Sequence, residues 1–117
     1  MTGASIAGLA QRLIDEGLRM ADHPGVIFKD GPSGRRAALA YGPDIWEVVT
    51  FLREIDERGP AAVDAAAEVF AADASRISTA ISYYADYSDE IDAEIADADD
   101  ASRRAEDAWR VQQRLIS

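Results

Sequence analysis

The sequence predicts a mainly α-helical chain with a short N-terminal β-hairpin, a helix-turn-helix in its middle and a long C-terminal helix. Three observations carry that prediction. Of 117 residues, 23 are Ala and β-branched runs are few, a bias toward helix. One turn-forming cluster, Asp30-Gly31-Pro32-Ser33-Gly34, separates two short strand-like segments. Beyond it, breakers at Gly42-Pro43, Gly59-Pro60 and Asp73 divide the chain into short pieces with helical spacing.

In chain order, residues 5–20 carry Ile6, Leu9, Ala10, Leu13 and Ile14 at helical intervals, continued by Gly17 and Leu18. Ser5 is a candidate cap. This amphipathic helix is expected to pack against the body of the protein, with dimerisation as the alternative. His23-Pro24-Gly25 ends it. Val26-Ile27-Phe28 reads as a strand, and Arg35 to Tyr41 as the returning strand, closed by Gly42.

Three short helices should follow. The first, capped by Asp44, buries Ile45, Val48, Val49, Leu52 and Ile55, with Trp46 and Phe51 widening the stripe. Gly59 should close it, and Pro60 opens the next helix where its missing N–H is harmless. That helix presents Val63, Ala66, Ala67 and Phe70. Asp73 caps the third, whose apolar stripe reads Ile77, Ala80, Ile81 and Tyr84. Ser88 can cap a last helix, with Asp89 and Glu90 in its first turn. Its stripe, Ile91, Ile95, Ala98, Ser102, Ala105 and Trp109, is weak, so alone in water it is expected to be a frayed helix or disordered. The organisation is therefore an N-terminal helix (1–22), a hairpin and helix-turn-helix domain (23–86) and an acidic helical tail (87–117). A core this small is expected to lean on a partner subunit or a second protein.

The net charge of -10 argues against unspecific nucleic-acid binding. The charge is uneven. Residues 1–40 hold five basic and four acidic side chains, residues 41–85 three and eight, and residues 86–117 four and ten. Two elements have no acid at all: Gly31 to Gly42, with Arg35 and Arg36, and Ala74 to Ala85. Surfaces spared carboxylates in an acidic protein suit an anionic partner, and DNA is the obvious one.

The second and third short helices form a helix-turn-helix layout, in which the later helix reads the major groove. Its face opposite the apolar stripe holds Ser75, Arg76, Ser78, Thr79, Ser82 and Tyr83. Hydroxyls suit phosphate contact, and Arg76 suits a guanine edge or a phosphate. The competing reading is an ordinary solvent-facing helix. Arg35 and Arg36 are expected either to reach a DNA backbone or minor groove or to be simple surface charge, with acids of the middle segment as candidate partners.

Enzyme chemistry finds little support. His23 is the sole histidine, there is no Cys, and no phosphate loop, nucleophile elbow or metal motif occurs. Asp89, Asp92, Asp97, Asp99 and Asp100 lack calcium-loop spacing and read as a solvated helix face or a strip for a basic protein partner. No cofactor is expected. No stretch has membrane-spanning length, and no basic region followed by an apolar block opens the chain. The expected location is the cytoplasm.

A hairpin, then Pro43-Asp44-Ile45-Trp46-Glu47-Val48-Val49, then a helix-turn-helix ending in Ala80-Ile81-Ser82-Tyr83-Tyr84-Ala85-Asp86 resembles the VapB-type antitoxins with a homeodomain-like helix-turn-helix, formerly a domain of unknown function. The resemblance covers about residues 23–94. It implies a type II toxin–antitoxin role: a homodimer that binds its own operator DNA and silences a PIN-domain-like ribonuclease toxin with its C-terminal segment. Members often carry Gly-Thr-Arg at the hairpin turn. Here it is Gly34-Arg35-Arg36, which leaves the role of these arginines open.

Under that resemblance, Ile91, Ile95 and Trp109 are candidate anchors for the toxin. Arg103, Arg104, Arg110 and Arg114 are candidates to pair with its carboxylates. The alternatives are a dimeric protein-binding scaffold that no longer touches DNA and a stand-alone transcription factor.

Overall fold

The computed structural model describes residues 3–31 and 34–117. Its elements are α1 (Gly3–Asp22), β1 (Val26–Gly31), β2 (Gly34–Leu39), α2 (Ile45–Glu54), α3 (Pro60–Val69), α4 (Ala74–Asp86) and α5 (Ser88–Ile116). The mainly helical fold, its hairpin and its long last helix are as the sequence predicts. Pro32 and Ser33 of the expected turn lie outside the described residues.

The hairpin is antiparallel, with Val26 opposite Leu39, Phe28 opposite Ala37 and Gly31 opposite Gly34. Val26, Ala37 and Leu39 enter the core. The return strand ends at Leu39, earlier than the expected Tyr41. Ala40 and Tyr41 turn out of the sheet instead, with Tyr41 in the left-handed region at φ 56 and fully exposed. The Leu39 N–H donates to the Pro43 carbonyl at 2.9 Å, so the turn is fastened to the strand it leaves.

Asp44 caps α2 as expected, in a reciprocal box with Glu47. The helix stops at Glu54, five residues before Gly59. Gly59 adopts φ 61 as the residue leading into α3, where Pro60 takes the first turn. Ile45, Val48 and Val49 are buried, and Trp46, Phe51 and Leu52 pack beside them.

In α4 the buried face is rotated from the expected one. Ile77, Ala80 and Tyr83 are fully buried, Tyr84 is half-buried and Ile81 is exposed. Tyr83 turns inward because α1, the hairpin and α5 all converge on its side of α4. Its ring makes edge contacts with Phe28 and His23 and lies 4.7 Å from that of Tyr87.

Only Tyr87 separates α4 from α5. Ser88 is the first residue of α5, and Tyr87 holds the cap position. Helix α5 runs 29 residues, about 43 Å. Ile91 lies in the core, Ile95 packs against it, and residues 101–117 are all exposed. The expected long last helix is continuous from Ser88 to Ile116.

Helix α1 differs more from expectation. It begins at Gly3, so Ser5 lies within its first turn. Its apolar stripe does not pack: Ile6, Leu9, Leu13, Ile14 and Leu18 are 42–63% exposed. The residues it turns inward are Glu16, 6% exposed, and Arg19. The polar face meets the domain and the apolar face meets solvent. Two projecting helices explain a radius of gyration of 17.3 Å, where a compact chain of this length has about 13–14 Å.

Candidate functional site

The three arginines expected at a DNA surface are engaged by partners in their own chain. The Arg35 guanidinium forks onto Glu16, with Nε to Oε2 and Nη2 to Oε1 both 2.9 Å, and lies 3.5 Å from Asp30. It joins β2 to α1 through a buried carboxylate, the bidentate geometry in which Arg pairs are strongest. Arg36 donates to Asp44, which is 3% exposed and also accepts from Lys29 at 2.9 Å and from the Trp46 indole at 3.1 Å. Burial raises the Asp44 pKa, and the bonds from Lys29 and Arg36 overcome that and hold it below its ordinary value. Arg76 donates to the Ala40 carbonyl, clamping α4 to the turn after β2. A side chain at Gly42 would press on that guanidinium.

What α4 leaves outward is a row of hydroxyls. Ser75, Ser78 and Ser82 are exposed. Thr79 is half-buried and donates to the Ser75 carbonyl at 3.0 Å. No cation of α4 accompanies them, and Asp73 and Asp86 flank the row. A helix presented this way can touch phosphates through hydroxyls but supplies little counter-ion release.

His23 gains partners that its sequence neighbours do not suggest. It is 5% exposed, with Nε2 at 2.8 Å from Asp86 and Nδ1 at 3.5 Å from the Ser82 hydroxyl. Ser82 sits mid-helix, where the backbone N–H groups are used within α4, so no pair of donors faces it as an oxyanion hole does. The arrangement acts as a tether between the end of α1 and α4. Beside it, Arg19 donates to Tyr83 at 3.0 Å and to Glu90 at 2.9 Å, and stacks 4.0 Å above the Tyr87 ring. Glu16, Arg19, His23 and Asp44 are the polar residues that organise this protein, and sequence reasoning passed over them in that role.

A cleft of about 360 Å³ opens between the hairpin, α2 and α5, walled by Trp46, Arg36, Asp44, Glu47, Glu94 and Asp97. Arg36 is already neutralised by Asp44, so the uncompensated charge is negative. Burial, and then the charges of Glu90 and Asp44, push Glu94 up to about 7, and one of its carboxyl oxygens is buried without a partner.

The expected toxin contacts divide at the domain edge. Ile91 is a core residue and Ile95 a half-buried one packed against it. Trp109 is 59% exposed and continues the same helical stripe, with Val111, Leu115 and Ile116 exposed nearby. Arg103, Arg104 and Arg110 pair with Asp100, Glu106 and Asp107 one turn away, and Arg114 has no ion pair among the described residues. Such exposed pairs are worth little and exchange readily for a partner's carboxylates.

No helix among the described residues is long and apolar enough to cross a membrane, and none of their side chains form a metal-binding cluster. No family model, curated protein or solved structure matches the chain.

Proposed function

We propose that this chain is the antitoxin of a type II toxin–antitoxin pair, and that α5 beyond residue 100 is the segment that engages a PIN-like ribonuclease in the cytoplasm. One observation carries the protein-binding half of this reading. The last four turns of α5 hold Trp109, Val111, Leu115 and Ile116 among arginines, 55–85% exposed. A Trp among Arg residues is the composition that dominates interface energetics. Arginines suit the clustered carboxylates of a metal-dependent nuclease. The identity of the partner rests on the resemblance of residues 23–94.

The test is co-purification with the product of the neighbouring reading frame, using the full chain and a chain ending at Asp100. Every core residue is retained in the shorter form. Recovery and nuclease inhibition are expected with the full chain alone. A truncated chain that still binds and inhibits removes the assignment.

A second reading, a protein-binding scaffold without DNA contact, is favoured by the engagement of Arg35, Arg36 and Arg76 with partners in their own chain. Operator autorepression would have to work through Ser75, Ser78, Thr79 and Ser82. Binding to upstream DNA that weakens steeply with salt supports autorepression, and salt-insensitive or absent binding supports the scaffold.

A further inference from the structure

Helix α1 is amphipathic in the reversed sense. Projected down its axis, Arg12, Asp15, Glu16, Arg19 and Asp22 fall on one half, and the residues that contact the domain, Glu16 and Arg19, are among them. From Ile6 to Ala21 the other half carries no charge. Glu16 and Arg19 fix this orientation. Rolling the stripe inward would pull the Glu16 carboxylate from Arg35 and the Arg19 guanidinium from Tyr83 and Glu90. The exposure is therefore built into the fold.

The area sets what can cover it. Six side chains, Ile6, Leu9, Leu13, Ile14, Leu18 and Met20, are 39–63% exposed. They offer on the order of 500 Å², the size at which a monomer's apolar patch marks an interaction site. Two such stripes face to face reach about 1,000 Å², the threshold of a specific interface. An uncharged stripe gives a charged partner nothing to recognise, and its complement is another uncharged stripe. A second copy supplies one of equal length and composition and forms a closed two-fold pair.

Gly17 fits this arrangement. It lies within the stripe, weakens the helix it sits in, and a Cβ there would meet nothing within 4 Å in its own chain. With Ala10 and Ala21 it forms a track of small residues along which another helix can approach closely. Residues 1–40 are also the part of the chain nearest electrical neutrality, so pairing there brings together little of the net charge of -10.

We infer that α1 is a self-association element, its outward apolar stripe seated against the same stripe of a second copy of this chain. The inference does not depend on what the tail binds.

Sedimentation of the full chain is the first test. It should show twice the 12.6 kDa monomer mass, and Leu13→Asp should weaken association roughly tenfold or more with unchanged helical content. A wild-type monomer, or a Leu13→Asp chain that still dimerises, overturns the inference. The chain ending at Asp100 should remain dimeric, and a monomer there places self-association in the tail and equally overturns it.

Because Leu13→Asp can loosen α1 itself, cross-linking gives an independent measurement. The protein has no Cys, so single cysteines report cleanly. Leu9→Cys, Leu13→Cys and Gly17→Cys lie on the stripe. Gly8→Cys lies on the opposite half, where a side chain also meets nothing within 4 Å. With a short bis-maleimide, at least one stripe position should give covalent dimer while Gly8→Cys stays monomeric. Equal cross-linking at all four, or none, overturns the proposal.

Discussion

Helices α1 and α4 are both amphipathic, and they use that property in opposite directions. Helix α4 buries Ile77, Ala80 and Tyr83 and shows water a row of hydroxyls. Helix α1 turns Glu16 and Arg19 toward the domain and shows water Leu9, Leu13 and Leu18. Periodicity identifies two unlike faces on a helix. Which face meets the domain is decided by what the rest of the chain offers. Beside α4 the fold offers an apolar core, and beside α1 it offers Arg35, Tyr83 and Glu90.

The largest expected effect sets these helices apart directly. Tyr83→Ala removes a fully buried ring and leaves Arg19 and Glu90 without a shared partner, so it should cost about 3–5 kcal/mol in urea unfolding. Leu13→Ala, measured at dilution where the chain is monomeric, should change stability by no more than about 0.5 kcal/mol. Comparable losses for the two would mean that the α1 stripe is covered within its own chain.

The next effect tests what holds α1 in place. Arg35→Met strands the buried Glu16 carboxylate and should lower the urea midpoint. Amide exchange should rise along α1 and leave α4 protected. Unchanged exchange with weakened DNA binding would instead make Arg35 a surface contact.

The smallest effect sharpens the electrostatics between α2 and α5. Glu94 has a pKa raised from 4.5 to about 7, so the folded state binds its proton more tightly than the unfolded chain does. Its contribution is present below about pH 4.5 and is lost as pH rises through about 7. Asp44, held low, acts in the reverse sense and loses its contribution as pH falls through its depressed value. Glu94→Gln should therefore flatten the decline between these pH values. Allowing for partial exposure, the variant should be about 1 kcal/mol more stable than wild type near pH 8. A parallel pH profile in the two proteins would remove Glu94 as the titrating group.

Much of the fold was legible because it is local. Asp44 before Ile45 and Pro60 after Gly59 mark helix starts through chemistry that acts within a turn or two, while Asp73 holds the N-cap position of α4 without a side-chain cap bond. Helix ends were less legible. The closure of α2 at Glu54 and the start of α5 at Ser88 are settled by how the chain must turn to pack. For the paired arginines the sequence left DNA contact and pairing with acids of the middle segment both open, and the structure adds a partner from the N-terminal helix. An acid-free segment looks open to an anion, yet the acids that neutralise it come from elsewhere: Glu16 lies 19 residues before Arg35, and Asp44 lies 8 residues after Arg36. Sequence charge counts do not show such pairing.

The sequence by itself determined the helical character, the order of elements and the hairpin, because propensity, capping and turn chemistry act over a few residues. Only the tertiary structure decided which charges are spent and which faces remain open. Those outcomes depend on distant groups meeting, as when Arg35 meets Glu16 and Tyr83 meets Arg19, and no preference that acts within a few residues encodes such meetings.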